Sequence, residues 1–403
     1  MNGTTDAFRE RARDRAREER EVVEWAIAEL DRLRRERDVD LEPLLEYARE
    51  SQKSLPERHR AAYEGMAEVL DVDPNVYEAY AFAYSGLCEA LGGPAADGCT
   101  NVLVAPLRTE TGGSLVLKNR DIAGRGVRPK AIVEQPPIGE YHGFLTVDTA
   151  GTVAVYKGVN DAGLVAANTY VDVGRSDVDP AVQLRNGTAV RRILEECASV
   201  REARRLLEAY PTHRLMAQTL FLADAEETIL LEVDPVAERI RAVDEPLVVR
   251  TNHFVSADSP ASTSSIARRE RALELLEGSA DSGTGASVGE GAEADGGRRT
   301  IGRADLWSVA RDHENGPGDE SVCRHPEPET DEPYAFGQLT TASGAVFEGG
   351  EPTIDVVMGN PCEAERTRCA LGEEIPTDLR TGQRWLDRVL AGREEHVAVG
   401  LPA

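Results

Sequence analysis

"PAADGCTNVLVAP", residues 94–106, sets a cysteine directly after a glycine and just ahead of a run of β-formers. Before it, residues 5–92 read as helical. "EVVEWAIAELDRL" puts Val22, Val23, Trp25, Ala26, Ile27 and Leu30 near one face, and "VYEAYAFAYSGLCEAL" repeats the idea. "LGGPAADG" then breaks the helix with glycine and proline, and from Cys99 the period becomes that of strands. A reactive side chain therefore opens the sheet. On its own the Gly-Cys-Thr triplet reads as a small buried core cysteine, because free cysteine is among the most buried residue types. A second reading is chemical. If the peptide bond before Cys99 is cut, the freed α-amine, with an unperturbed pKa of about 7.7–8.0, lies beside its own sulfur and can take the thiol proton. Nucleophile and base then come from one residue. Gly98, without a Cβ, lets the thiol reach the carbonyl it would attack.

Downstream, "TNVLVAPLRT", "SLVLKNRD", "TVAVYKGV" and "LVAANTYV" are short β-rich runs. "TAVRRILEECASVREARRLLEAY" reads as two helices, divided where Ser199 and Glu202 have capping-box spacing. Strands return at "AQTLFLADAEETILLEV" and "EPLVVRTNHF", helix at "SSIARRERALELLEG" and near "RADLWSVARDH". "GQLTTASGAVFEG" and "PTIDVVMGN" add strand before a short helical tail. Strand pairs alternating with helix pairs predict two sheets stacked face to face with helices outside. Residues 278–297, rich in Gly, Ser and acids, bury too little to order themselves and are expected to form a flexible surface insertion.

The 403 residues, 41% apolar, suffice for one large domain or two modest ones. A net charge of −26 argues against nucleic acid and anionic membrane surfaces, which need clustered cations. No apolar run reaches the roughly 18 residues of a membrane span, and the amino terminus lacks the apolar core of a secretory signal. The six cysteines are too scattered for a disulfide framework, so a cytoplasmic protein with reduced thiols is expected. With no CxxC pair or HExxH helix, neither a metal nor a bound cofactor is expected. Only four of the 46 basic residues are lysine: Lys53, Lys118, Lys130 and Lys157. An acidic, lysine-poor surface suits a protein hydrated in high salt, and arginine codons of a GC-rich genome give the same skew.

"DGCT", "LKNRD", "GVNDAGLVAANTYV", "VRTNHF", "SSIARRERALELL", "SVCRH" and "MGNPC" occur in that order. Jointly they resemble the acyl-CoA:6-aminopenicillanic acid acyltransferase family, the isopenicillin-N acyltransferase-like branch of the N-terminal nucleophile (Ntn) hydrolases. The resemblance runs over essentially the whole chain, most firmly residues 97–276 and 321–362. It implies an α+β fold, a four-layer αββα sandwich, made as a precursor that cuts itself between Gly98 and Cys99. Residues 1–98 would be a helical α-chain and 99–403 the catalytic β-chain, the two remaining associated. Carried over by position, Cys99 matches the nucleophile and Asp121 an acid that orients the new amine. Asn168 matches an oxyanion donor, and Asn252 a second oxyanion or amine-holding group. Arg268 matches a helix arginine facing the site, with Arg269 and Arg271 as alternatives. Arg120 fits only loosely, His253 reads as structural, and Cys323 and Cys362 are expected to build the fold. The implied activity is hydrolysis of a small acylated amide through an acyl-Cys99 intermediate. Two alternatives stand beside it: acyl transfer to an amine, with CoA as a possible donor product, and a non-catalytic binding protein that keeps the fold.

Overall fold

A computed structural model describes residues 3–93, 98–123, 127–174, 178–255, 261–278, 299–325 and 336–398, with the side chains of the last helix described to Ala391. Apart from Gly278, the insertion expected at 278–297 lies outside the described residues.

The amino-terminal segment folds as α1 (Gly3–Glu36), α2 (Glu42–Gln52), α3 (Glu57–Ala67), α4 (Pro74–Phe82) and α5 (Tyr84–Ala90). Val22, Val23, Ala26, Ile27 and Leu30 are buried along α1, as their spacing predicts. Asp73 caps α4 by accepting from the Asn75 and Val76 amides, and Pro74 fills the first helical position, where no amide hydrogen is needed.

The strands β1 (Gly98–Val104), β2 (Leu115–Ala123), β3 (Lys130–Gln135), β4 (Phe144–Thr149), β5 (Lys157–Asn160) and β6 (Val165–Tyr170) precede α6 (Asn186–Glu196) and α7 (Val200–Glu208). Ser199 caps α7 by accepting from the Glu202 amide, while Glu202 accepts from the Ala198 amide, one residue earlier than a capping box requires. Then come β7 (Gln218–Ala223), β8 (Thr228–Asp234), β9 (Arg239–Val243), β10 (Leu247–Arg250), α8 (Thr263–Glu277) and α9 (Arg303–Ala310). The chain closes with β11 (Leu339–Glu348), β12 (Thr353–Met358), β13 (Arg366–Ala370), α10 (Thr377–Arg380) and α11 (Gln383–Ala398).

Two antiparallel sheets result. One has the order β10-β1-β2-β11-β12-β13, and the other runs β3 to β9 in sequence. Leu103, Val116 and Ile122 of the first meet Ile132, Leu145, Val159 and Phe221 of the second in a shared core. The opposite face of the first sheet, with Val102, Val104 and Leu117, packs on α8 and α9. The opposite face of the second, with Ala166, Leu220 and Leu231, packs on α6 and α7. The architecture is an αββα sandwich, as the resemblance implied.

Strand alternation positions the site. Leu103 points between the sheets, so Cys99 and Asn101 share that inner face. In β2, Lys118 and Arg120 share the inner face of Val116, whereas Asn119 and Asp121 have the outer parity of Leu117. The register sets Gly98 opposite Asp121 and Cys99 opposite Arg120.

The helical segment is joined to the sandwich by buried polar contacts. Arg58 and His59 of α3 each lie 2.8 Å from Glu195 of α6. The Tyr80 hydroxyl donates to the Ala150 carbonyl at 2.7 Å, and Glu19 accepts from the Gly151 amide at 2.7 Å. Burial pushes the His59 pKa down to about 4, so the ring stays neutral beside a carboxylate already served by arginines.

Candidate active site

Each polar atom of Cys99 has its own partner. Its amide donates to Asn252 Oδ1 at 3.1 Å, its carbonyl accepts from Arg268 Nη1 at 2.6 Å, and its sulfur lies 3.3 Å from Lys118 Nζ. The residue is 5% exposed, at the floor of a cavity of about 320 Å³.

Asn252 follows β10, where its amide donates to Ser265 Oγ at 2.8 Å. Its side-chain nitrogen donates to the Tyr170 carbonyl at 3.0 Å, so the carbonyl end of the amide is the one turned to Cys99. The same oxygen accepts from Arg268 Nη2 at 2.9 Å. His253 holds Ser265 Oγ at 2.8 Å through Nδ1, which supports this turn. Of the three arginines on α8 that the sequence left open, Arg268 reaches Cys99. Arg271 turns away to Asp312 and Glu274, and Arg269 is half-buried near Arg250 and His253. Burial first, and then Arg324, lower the Arg268 pKa to about 9.

Asp121 is fully buried on the far side of the strand. Its Oδ1 accepts from Thr341 Oγ1 at 2.7 Å; its Oδ2 lies 3.5 Å from Arg324 Nη1 and 4.0 Å from Arg268 Nη1. Among the described residues neither Asp121 Oδ2 nor Arg324 Nη1 has a hydrogen-bond partner. Both border Gly98. A Cβ placed there would lie 2.6 Å from Arg324 Nη1 and 2.8 Å from Asp121 Oδ2. A side chain at residue 98 would therefore push on both groups, and one of them would have to shift.

Asn168 lies on β6 and lines the cavity. Its side-chain nitrogen donates to Gln218 Oε1 at 3.2 Å, and its carbonyl accepts from Lys118 Nζ. An amide carries two N–H groups, so one remains beyond the bond to Gln218. Arg120 pairs with Asp148 at 2.5 Å and stacks on Tyr156, its guanidinium 3.7 Å from the ring centre.

Sequence reasoning missed the lysines and Arg324. Three of the four lysines, Lys118, Lys130 and Lys157, are buried between the sheets. Burial lowers the Lys118 pKa and, with repulsion from Lys118, brings Lys157 to about 7. The scarcity of lysine was read as a property of the surface; its placement in three apolar strand runs was the available signal. Arg324, inside "SVCRH", carried no signal beyond that motif.

The cavity wall comes from both parts of the chain. Tyr47, Phe82 and Tyr84 belong to the amino-terminal helices, and Tyr156, Tyr170 and Met216 to the sandwich. Four basic residues line it, Lys118, Arg120, Arg128 and Arg185, with Arg120 already paired to Asp148 behind the wall, and among the described lining residues there is no carboxylate.

Among curated proteins, none matches the sequence. Several solved structures resemble it weakly, among them these three. Penicillin V acylase from Agrobacterium tumefaciens is 17% identical over 64% of this chain and 83% of its own, with a TM-score of 0.35. A mutant conjugated bile acid hydrolase from Clostridium perfringens is 12% identical over 69% and 97%, at 0.39. An N-acylethanolamine-hydrolyzing acid amidase orthologue from Caenorhabditis elegans is 14% identical over 63% and 94%, at 0.38. The sandwich itself rests on its own sheet order and register. A family model matches residues 108–283, a span that holds Asp121, Asn168, Asn252 and Arg268 and begins just after Cys99. The family whose motifs the sequence resembles is the one whose model those central residues match: acyl-coenzyme A:6-aminopenicillanic acid acyl-transferase.

Proposed function

We propose that the protein is a self-processing cysteine hydrolase that cleaves small acylated amides through an acyl-Cys99 intermediate. The observation that carries this reading is the convergence of Asn252, Arg268 and Lys118 on the amide, carbonyl and sulfur of one residue at a cavity floor.

Maturation comes first. In the precursor no α-amine exists, and Lys118, its ammonium form disfavoured by burial, is the base at the sulfur. It takes the thiol proton as the sulfur attacks the Gly98 carbonyl. The C–N bond breaks as the Cys99 nitrogen gains a proton, leaving a thioester. Water then hydrolyses the thioester to a Gly98 carboxylate and a free thiol. The new amine stays on Asn252 Oδ1 and is received as an ammonium by Asp121 Oδ2, which borders Gly98 and lacks a hydrogen-bond partner among the described residues. The buried Glu195 and Tyr80 contacts hold the helical piece in place after the cut.

In turnover the α-amine takes the thiol proton and Cys99 attacks the substrate carbonyl. The remaining N–H of Asn168 stabilises the oxyanion, a donor type worth on the order of 3 kcal/mol. The amine departs with a proton and water releases the acid. The aromatic wall suits an apolar acyl group, and a basic lining with no carboxylate among the described lining residues suits a substrate with an anionic end. Mature protein incubated with an anionic chromogenic acyl amide, with and without added amine, tests the reading. Acid release that added amine leaves unchanged supports hydrolysis; formation of the new amide at the expense of acid supports transfer; no reaction with any acyl amide contradicts both.

A further inference from the structure

Away from the cavity, four metal-ligating side chains converge. Cys323 and Cys362 place their sulfurs 3.6 Å apart, and His325 Nε2 lies 3.0 Å from Cys362 Sγ and 3.6 Å from Cys323 Sγ. A ring nitrogen of His313 joins His325 and Cys362, with all three donor atoms within 4.8 Å of one another. We propose that Cys323, Cys362, His313 and His325 form a structural zinc site. Tetrahedral zinc, with bonds of about 2.3 Å to sulfur and about 2.0 Å to nitrogen, sets its ligands roughly 3.4–3.8 Å apart. Three of the separations are near that range, and His313, with its donor atom within 4.8 Å of those of His325 and Cys362, closes on the ion to complete the set.

The surroundings are those of a metal site. His313 Nδ1 donates to the Arg311 carbonyl at 3.0 Å, which fixes the tautomer that presents Nε2. His325 turns Nδ1 towards Glu363, 3.6 Å away, and keeps Nε2 for the sulfurs. The Asn360 side-chain nitrogen approaches Cys323 Sγ at 3.9 Å and donates to the Arg324 carbonyl at 2.6 Å. The loop after α9 is folded for this purpose: the Cys323 amide donates to Asp312 and the His325 amide to Pro317, which returns both ligands to His313. Two thiolates with two imidazoles in this spacing select zinc over magnesium or calcium, which prefer oxygen. Binding releases one proton from each thiol.

Three ligands come from one loop, residues 313–325, and the fourth, Cys362, from after β12, so no paired-ligand spacing announces the set. Their placement has a consequence for the nucleophile. Cys323 and His325 flank Arg324, whose guanidinium faces Asp121 beside Gly98, so the metal would brace that arginine from both sides.

Elemental analysis of the purified full chain, kept reduced, tests the site. The expected result is about one zinc per chain, lost in Cys323→Ser and Cys362→Ser and kept in Cys197→Ser, which alters a cysteine packed among α6 and α7. Because those variants could misfold, cobalt(II) is also titrated into metal-stripped wild-type protein. The account expects thiolate-to-cobalt charge transfer and the intense visible bands of a tetrahedral ion. Wild type without zinc that gives only the weak spectrum of octahedral cobalt, or a Cys323–Cys362 disulfide found by non-reducing peptide mapping, would overturn it. Neither readout depends on catalysis.

Discussion

Two cysteine neighbourhoods in this molecule teach opposite lessons about one side chain. Cys99 meets cations and amides: Lys118 at its sulfur, Arg268 at its carbonyl, Asn252 at its nitrogen. Cys323 and Cys362 meet each other and a histidine. A lone sulfur beside a buried lysine amine that lines the same cavity has a carbonyl to attack. Paired sulfurs with imidazoles have a cation to share. Burial does not separate the two, since Cys99 and Cys323 are both buried, and burial raises the thiol pKa of Cys323 and Cys362. The neighbours decide.

The largest effect expected from breaking this contrast is at Cys99 itself. Cys99→Ala should lower turnover by roughly a thousand-fold or more and leave a single full-length band on a denaturing gel. Cys369→Ser, at a buried cysteine in β13, should process and turn over as wild type. Next in size is Gly98→Val. Its side chain would overlap Arg324 and Asp121, so mass spectrometry should find the chain intact, while circular dichroism shows it folded.

Asn168→Ala removes the side-chain amide bound to Gln218 on this cavity-lining residue. It should cost about 10²–10³ in kcat with little change in KM, read from initial rates on processed enzyme. Lys118→Met should slow the appearance of the cleaved form, in a time course after synthesis, by about 10²-fold or more as a general base is lost.

The smallest effect is one of stability. Lys157 has a folded pKa near 7 against an ordinary value of 10.5, so the unfolded chain binds the extra proton between those limits. Stability should therefore rise with pH from about 7 to 10.5, with the cost of charging Lys157 fully present below that window. Lys157→Met should flatten the rise in Tm across it. An unchanged slope would mean that burial does not depress this amine.

Much of the architecture was legible in the sequence because amphipathic helices and alternating strands announce themselves through period. β3 and β4 were passed over since both are buried on nearly every residue, which erases the alternation. The change of period at "DGCT" marked the start of the first sheet, and ordered motifs drew Asp121, Asn168, Asn252 and Arg268 to attention. What stayed hidden was orientation. Nothing in "TNH" tells that Asn252 turns its carbonyl, not its nitrogen, to Cys99. Lys118 and Arg324 take their meaning from neighbours in space: the first from the strand pairing that sets β2 against β1, the second from the β11 residue Thr341, which binds Asp121.

The most direct test is the mass and amino-terminal sequence of the freshly purified chain. The account predicts two associated fragments, the larger beginning Cys-Thr-Asn at Cys99. A chain that remains whole while it turns over an acyl amide at full rate would contradict it.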